Sequence, residues 1–124
     1  MPKPDFVDFD TPPELAKKAL DALAMAKKSG KVKKGIHETT KTIERGHAKL
    51  VVIAEDVDPP EITMFMPALC DDRNVPFIYV QSKADLGKAV GVEVPTAAAA
   101  IVTEGKAKDL VADIVEKVKA LRGK

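Results

Sequence analysis

The chain has little of what most small functional modules are built on: one cysteine, no tryptophan, one tyrosine and no long apolar run. A lone Cys70 cannot close an internal disulfide, which points to a reducing cytosol and removes disulfide scaffolds. Neither Cys70 nor His37 nor His47 has a partner at metal-ligand spacing, so no metal knuckle is expected. With aromatics at 4 % of residues, a single-strand binder built on stacking platforms is disfavoured, and any nucleic-acid contact has to be polar. The longest apolar run, Ala97 to Val102, falls far short of the roughly 20 residues that cross a bilayer. The N-terminus lacks a charged-then-apolar signal pattern, so a cytoplasmic location is expected. A net charge of +1 gives no bulk reason to invoke a nucleic acid, a membrane or an acidic substrate.

What is present suits one compact unit. A chain of 124 residues matches a common domain length, and its 45 % hydrophobic content is enough for a core, so residues 1–124 are expected to fold as a single domain. After an extended lead over Val7–Asp10, Thr11-Pro12-Pro13-Glu14 reads as a capped helix start. The helix runs to about Lys28, with Leu15, Ala19, Leu20, Leu23 and Ala26 as its apolar stripe. A second helix lies between Gly35 and Gly46, with Ile36, Thr40 and Ile43 on one face and His37, Lys41 and Arg45 on another. Leu50–Ala54 is a β-branched run expected as a central strand. Asp58-Pro59-Pro60-Glu61 opens a helix that continues to Cys70, with Phe65 and Met66 in the core. Phe77–Val80 is a strand, Ser82 caps a short helix ending by Gly91, and Val92–Thr96 is a loop. Ala98–Thr103 is a further strand, and Ala107–Leu121 a closing helix with Leu110, Val111, Ile114, Val118 and Leu121 inward. Alternating strands and helices predict an α/β fold, a mixed sheet between helical layers.

Enzyme signatures are absent: no phosphate-binding GxxxxGK[ST] loop, no GxGxxG, no HExxH and no GxSxG. The carboxylate pairs Glu55-Asp56 and Asp71-Asp72 read as solvated ends of elements rather than an acid and a base. Cys70, at the end of an apolar helix with two acids after it, reads as core rather than nucleophile. No enzymatic activity and no cofactor are expected.

The segment Lys27–Gly35 carries five lysines and no acid. By itself it reads as a solvated basic loop between two helices. The residues after it add a second signal. Gly35-Ile36-His37-Glu38-Thr39-Thr40-Lys41 places polar side chains of different character on the first turns of a helix, whose positive end favours a phosphate. Lys41 can donate to guanine O6 or N7, Glu38 can accept from guanine N1–H and N2–H, and His37 can do either. Phosphate repels a carboxylate, so Glu38 among lysines makes sense if it contacts a base edge. The competing reading is that Glu38 only improves the helix start and Lys41 is solvated.

The run Lys33-Lys34-Gly35-Ile36-His37-Glu38-Thr39-Thr40-Lys41-Thr42-Ile43-Glu44-Arg45-Gly46 resembles the signature of the archaeal large-subunit ribosomal protein L-seven-Ae family. The blocks Ala48–Val57, Pro67–Cys70, Val75–Val80 and Ser82–Gly87 are similar to successive blocks of the same family. The resemblance implies a three-layer α/β/α sandwich with a small mixed sheet, no catalytic activity and recognition of the kink-turn, a sharply bent RNA internal loop with tandem sheared G·A pairs. It implies that Gly35, His37, Glu38 and Lys41 contact the G·A pairs and that Lys33, Lys34, Arg45 and Lys83 touch or orient the backbone. The loop Val92-Glu93-Val94 would cover a flipped base. Implied partners are kink-turns of ribosomal RNA, box C/D and H/ACA guide RNAs and ribonuclease P RNA, together with proteins of the large subunit and of guide particles. The chain would be a monomer when free.

Two positions depart from the family pattern: His37 stands where asparagine is usual, and Met64-Phe65-Met66-Pro67 replaces Ala-His-Leu-Pro. Imidazole offers at most one donor and one acceptor when neutral, in a geometry unlike an amide's, so altered affinity or RNA preference is expected. A scaffold for protein partners with relaxed RNA contacts is the alternative. From Lys27 to His47 there are seven basic residues and two acids, a local +5 that leaves −4 for the rest of the chain. The sequence therefore predicts a selective binder with one basic face.

Overall fold

The computed structural model describes residues 11–59 and 61–122. Its element order is α1 (Pro13–Ser29), β1 (Lys31–Lys34), α2 (Ile36–Glu44), β2 (Leu50–Ala54), α3 (Glu61–Met64), α4 (Met66–Asp72), β3 (Phe77–Val80), α5 (Lys83–Ala89), β4 (Ala98–Thr103) and α6 (Lys108–Leu121), the last preceded by a single 3₁₀ turn. The expected lead over Val7–Asp10 lies outside the described residues, as does Pro60 of the second proline pair.

Four strands form one sheet in the order β1-β4-β2-β3. β2 is parallel to β3, and β4 runs antiparallel to both β2 and β1. Every residue of β2 and β3 is buried, which requires helices on both faces of the sheet. α1 packs with α5 and α6, while α2 packs with α4 and crosses β1 and β4, giving the three layers of the expected sandwich. The core between them includes Leu23, Ala26, Ile43, Ile53, Phe77, Leu86, Ile101 and Ile114.

Several local expectations shift. Lys31–Lys34, read as part of a loop, is an edge strand paired with Ala99–Thr103. Alternating lysines give no apolar signal, and Val32 is its one apolar residue. α1 starts one residue later than expected: Pro12 is the capping position, its carbonyl accepting from Leu15 and Ala16 at 3.0 Å, and the Thr11 hydroxyl makes no capping bond. Of the expected inner face of α2, Ile43 is fully buried while Ile36 and Thr40 are half-buried, and Thr39 and Thr42 are buried with Ile43. Leu121, expected inward, is 40 % exposed.

The helix expected over Asp58–Cys70 is two helices. Pro67 has no N–H to give the carbonyl of Thr63 and its ring collides with that carbonyl, so the chain restarts at Met66. The restart turns Met66 fully inward and leaves Phe65 42 % exposed, which corrects the expectation that both are core. Beyond the break, α4 is pinned to the end of α6: Arg122 donates to both carboxylate oxygens of Asp71 at 2.8 and 2.9 Å and lies 4.6 Å over the Phe77 ring.

Cys70 is buried in α4, and burial, reinforced by the Asp71 charge, pushes its thiol up to about 12 from 9.0. A thiol that stays protonated in the folded chain but ionises in the unfolded chain contributes stability below pH 9, lost as pH rises from there towards 12. Urea unfolding at pH 8 and pH 10 is expected to show a larger loss of stability for the native chain than for Cys70→Ala. In the native state Cys70 is expected to resist a thiol reagent at pH 8 until denaturant is added.

Candidate functional site

Strand directions decide what meets at the end of the sheet. β1, β2 and β3 run the same way and β4 runs against them, so the ends of the first three and the start of the fourth share one edge. On that edge the Gly35 N–H donates to Ala98 O at 2.9 Å, Ala54 N–H to Ala97 O at 2.9 Å and Glu55 N–H to Val80 O at 2.8 Å. The turn into α2, the segment after β2, the start of α5 and the loop before β4 are thereby drawn to one place.

Gly35 links β1 to α2 with φ +92° and ψ 159°, a region open to glycine and costly for other residues. Its carbonyl accepts from Thr39 N–H at 3.0 Å. No side chain caps α2, so the N–H groups of its first turn point outward from the positive end of the helix. His37, Glu38 and Lys41 are exposed there. Lys41 Nζ lies 3.9 Å from Glu38 Oε1, which places a cation and a carboxylate side by side facing solvent. The opposite side of the helix is fixed in the core by Ile43 and by Thr42, whose hydroxyl donates to Glu38 O at 2.8 Å.

Lys83 begins α5 on the same edge. Its N–H donates to Asp56 Oδ1 at 2.8 Å, and its carbonyl accepts from Thr96 N–H at 3.0 Å. Ser82 caps the helix, accepting from Asp85 N–H at 3.2 Å, as the sequence predicts. The loop Val92–Thr96 folds back along α5: Val92 N–H donates to Gly87 O, and a Cβ at Gly87 would overlap the Val94 carbonyl. This close approach leaves Glu93 and Val94 outward, Val94 65 % exposed, beside a shallow hollow of about 340 Å³ lined by Ala84, Lys88 and Pro95 as well.

The structure thus brings Gly35, His37, Glu38, Lys41, Lys83 and the 92–94 loop to one sheet edge. Lys34 ends β1 on that edge, exposed; Lys33 is half-buried and, as its strand neighbour, points to the opposite face. Arg45 shares the face of His37 and Lys41 but stands at the far end of α2, about 12 Å along the helix axis. Sequence reasoning missed Asp56, which holds the start of α5. Its signal was an acid directly after a buried strand, which was read as mere solvation. Glu55 and Asp56 therefore serve in the frame of this edge, and among the described residues no group of three or more His, Cys, Asp or Glu converges on a metal-sized space.

A mixed sheet between helical layers, with a glycine-led exposed helix and a returning loop at one edge, defines a small α/β sandwich whose recognition groups are all at strand ends. The chain belongs to the ribosomal protein L7Ae/L30e/S12e/Gadd45 family, whose model matches residues 17–111 and so spans every candidate residue named above. It is similar to a solved structure from Giardia lamblia described as a 15.5kD RNA binding protein. The two are 38 % identical over 97 % of this chain and 99 % of that one, with a TM-score of 0.88.

A Cβ at position 35 would meet open space, so any cost of Gly35→Ala comes from the backbone dihedral alone. The variant is expected to lose about 1–3 kcal/mol in a urea titration. An unchanged midpoint would mean that the turn relaxes freely and does not fix where α2 begins.

Proposed function

We propose that this protein recognises kink-turns in RNA, in large-subunit ribosomal RNA and also in box C/D and H/ACA guide RNAs and ribonuclease P RNA. The observation that carries the proposal is the sheet edge at which the uncapped start of α2, the Glu38–Lys41 pair and the 92–96 loop converge. Its support from likeness is the 38 % identity to a protein described as RNA binding.

Each group has a chemical task. The first N–H groups of α2 and the ammoniums of Lys34 and Lys83 neutralise phosphate, while Glu38 accepts from the guanine Watson–Crick edge and Lys41 donates to its O6 or N7. Because Gly35 has no side chain, the RNA backbone can approach the helix end closely. Val92 and Val94 offer apolar cover to an unstacked base. Kinked and extended RNA interconvert, and a protein that contacts only the kinked form stabilises it by its differential affinity. Nothing in this scheme requires a reaction, and the site works by binding alone. The protein acts as a monomer in the cytoplasm, where ribosomal and guide-particle proteins join it on the RNA.

The exposed Ile62, Met64 and Phe65 favour a second reading, a scaffold for protein partners with weakened RNA contacts. Bending of a doubly labelled kink-turn RNA on adding protein separates the two. Bending that is lost when the G·A pairs are replaced supports recognition, and no bending favours the scaffold.

Glu38→Ala and Lys41→Ala are each expected to weaken kink-turn binding by about 1–3 kcal/mol in a gel-shift titration. Unchanged affinity in both would remove these residues from the contact set. His37→Asn is expected to tighten binding, since an amide carries its donor and acceptor side by side on one carbon whereas imidazole holds them apart on the ring; equal affinity would show that imidazole serves as well.

A further inference from the structure

The basic run that suggested one charged face is divided by the fold. Lys34 ends β1 at the edge just described, whereas Lys27, Lys28 and Lys31 stand at the opposite end of the sheet. Lys31 and Lys34 begin and end the same strand, about 10 Å apart along the backbone.

At that far end the fold adds two more lysines from distant parts of the chain. Lys31 is paired with Thr103 at the end of β4, and Lys49 N–H donates to Ile101 O from the other side. β4 lies between β1 and β2, so Lys31 and Lys49 flank its end about 10 Å apart. The N–H of Lys106 donates to the Ser29 hydroxyl at 2.8 Å, tying the 3₁₀ turn to the end of α1. All five lysines are exposed, and among the described residues none is in an ion pair.

Helix dipoles account for Lys27 and Lys28, which stand in the last turn of α1. A lysine on an edge strand blunts strand-to-strand association, which accounts for Lys31. Neither reason reaches Lys49 or Lys106. The contrast with the first edge is one of charge balance: there Glu38, Glu55, Asp56, Asp85 and Glu93 interleave with the cations, while here Glu44, Glu104 and Asp109 are outnumbered by the five lysines. The described aromatic side chains are Phe65, Phe77 and Tyr79; the last two are buried, and Phe65 belongs to the break between α3 and α4. Among the described residues His47 is the one exposed ring there, so this end offers little stacking to unpaired bases, and point charges on flexible stems hold phosphates without reading sequence.

We propose that the far end, through Lys27, Lys28, Lys31, Lys49 and Lys106, is a second RNA contact that holds the phosphate backbone of a paired segment, independent of base sequence. The proposal goes beyond kink-turn recognition and uses none of its residues. A small protein with contacts at both ends of its sheet can bridge two segments of a folded RNA, and the second contact gains from the first through effective concentration.

The test compares Lys31→Gln/Lys106→Gln with a control, Lys117→Gln/Lys119→Gln, that removes the same charge from α6. Three probes are used: a fully paired RNA duplex without G·A pairs, a minimal kink-turn and polyglutamate. The far-end variant is expected to bind the duplex about tenfold more weakly at low salt, with the slope of log K against log salt reduced by about one per lysine. The control is expected to change neither, and the minimal kink-turn is expected to bind all three proteins alike. Equal loss of duplex binding in the control, or none in the far-end variant, overturns the proposal. So does polyglutamate held as tightly as duplex and lost in the same variant, which would make this end a site for acidic protein. Kink-turn affinity no greater than for a G·A-replaced control sinks the first function and leaves this test standing.

Discussion

The reversed strand β4 is the constraint on which the rest depends. Inserted antiparallel between β1 and β2, it forces the ends of three strands and the start of the fourth onto one edge. Backbone bonds from Gly35 to Ala98 and from Ala54 to Ala97 seal that edge, and four segments remote in sequence are held within reach of one ligand. The small side chains of Ala98, Ala99 and Ala100, all buried, let the helices come close to this strand on both faces.

Given that frame, the recognition groups need little further organisation. α2 is rigid because Ile43, Thr39 and Thr42 are buried beneath it, and its polar face is therefore presented at fixed spacing. Asp56 and Ser82 place the first turn of α5, and Gly87 admits the loop that returns along it. A site built this way changes shape little on binding, so its affinity is not reduced by the entropy of ordering loops. In the proposed function, Glu38 beside Lys41 works against indiscriminate attraction to phosphate, and specificity at this edge comes from pairing the right donors with the right acceptors.

Charge is the property that averages conceal most. A net of +1 describes neither end of the molecule. In the proposed reading one end mixes cations with carboxylates and suits base edges, while the other is richer in lysine and suits phosphates. The single basic face expected from Lys27 to His47 is divided because Lys31–Lys34 forms a strand, and a strand carries its charges apart along its length at about 3.3 Å per residue.

The sequence by itself determined the elements with strong local chemistry: the β-branched strands at Leu50 and Phe77, the Ser82 cap, the apolar stripe of α1 and the glycine that opens α2. These are set by contacts within a few residues, and pattern alone exposes them. Family likeness in the run from Lys33 to Gly46 carried the sandwich further than pattern could, and it supplied the candidate contact residues. Only the tertiary structure decided that Lys31–Lys34 is a strand, because its pairing partner lies some seventy residues away and its side chains carry no period of their own. It alone decided that Phe65 faces water while Met66 is buried, through the restart at Pro67, and that Asp56 braces α5 across the sheet edge. Each of these depends on what the fold brings alongside, and hydrogen bonds and charges act across that distance in space regardless of their separation in the chain.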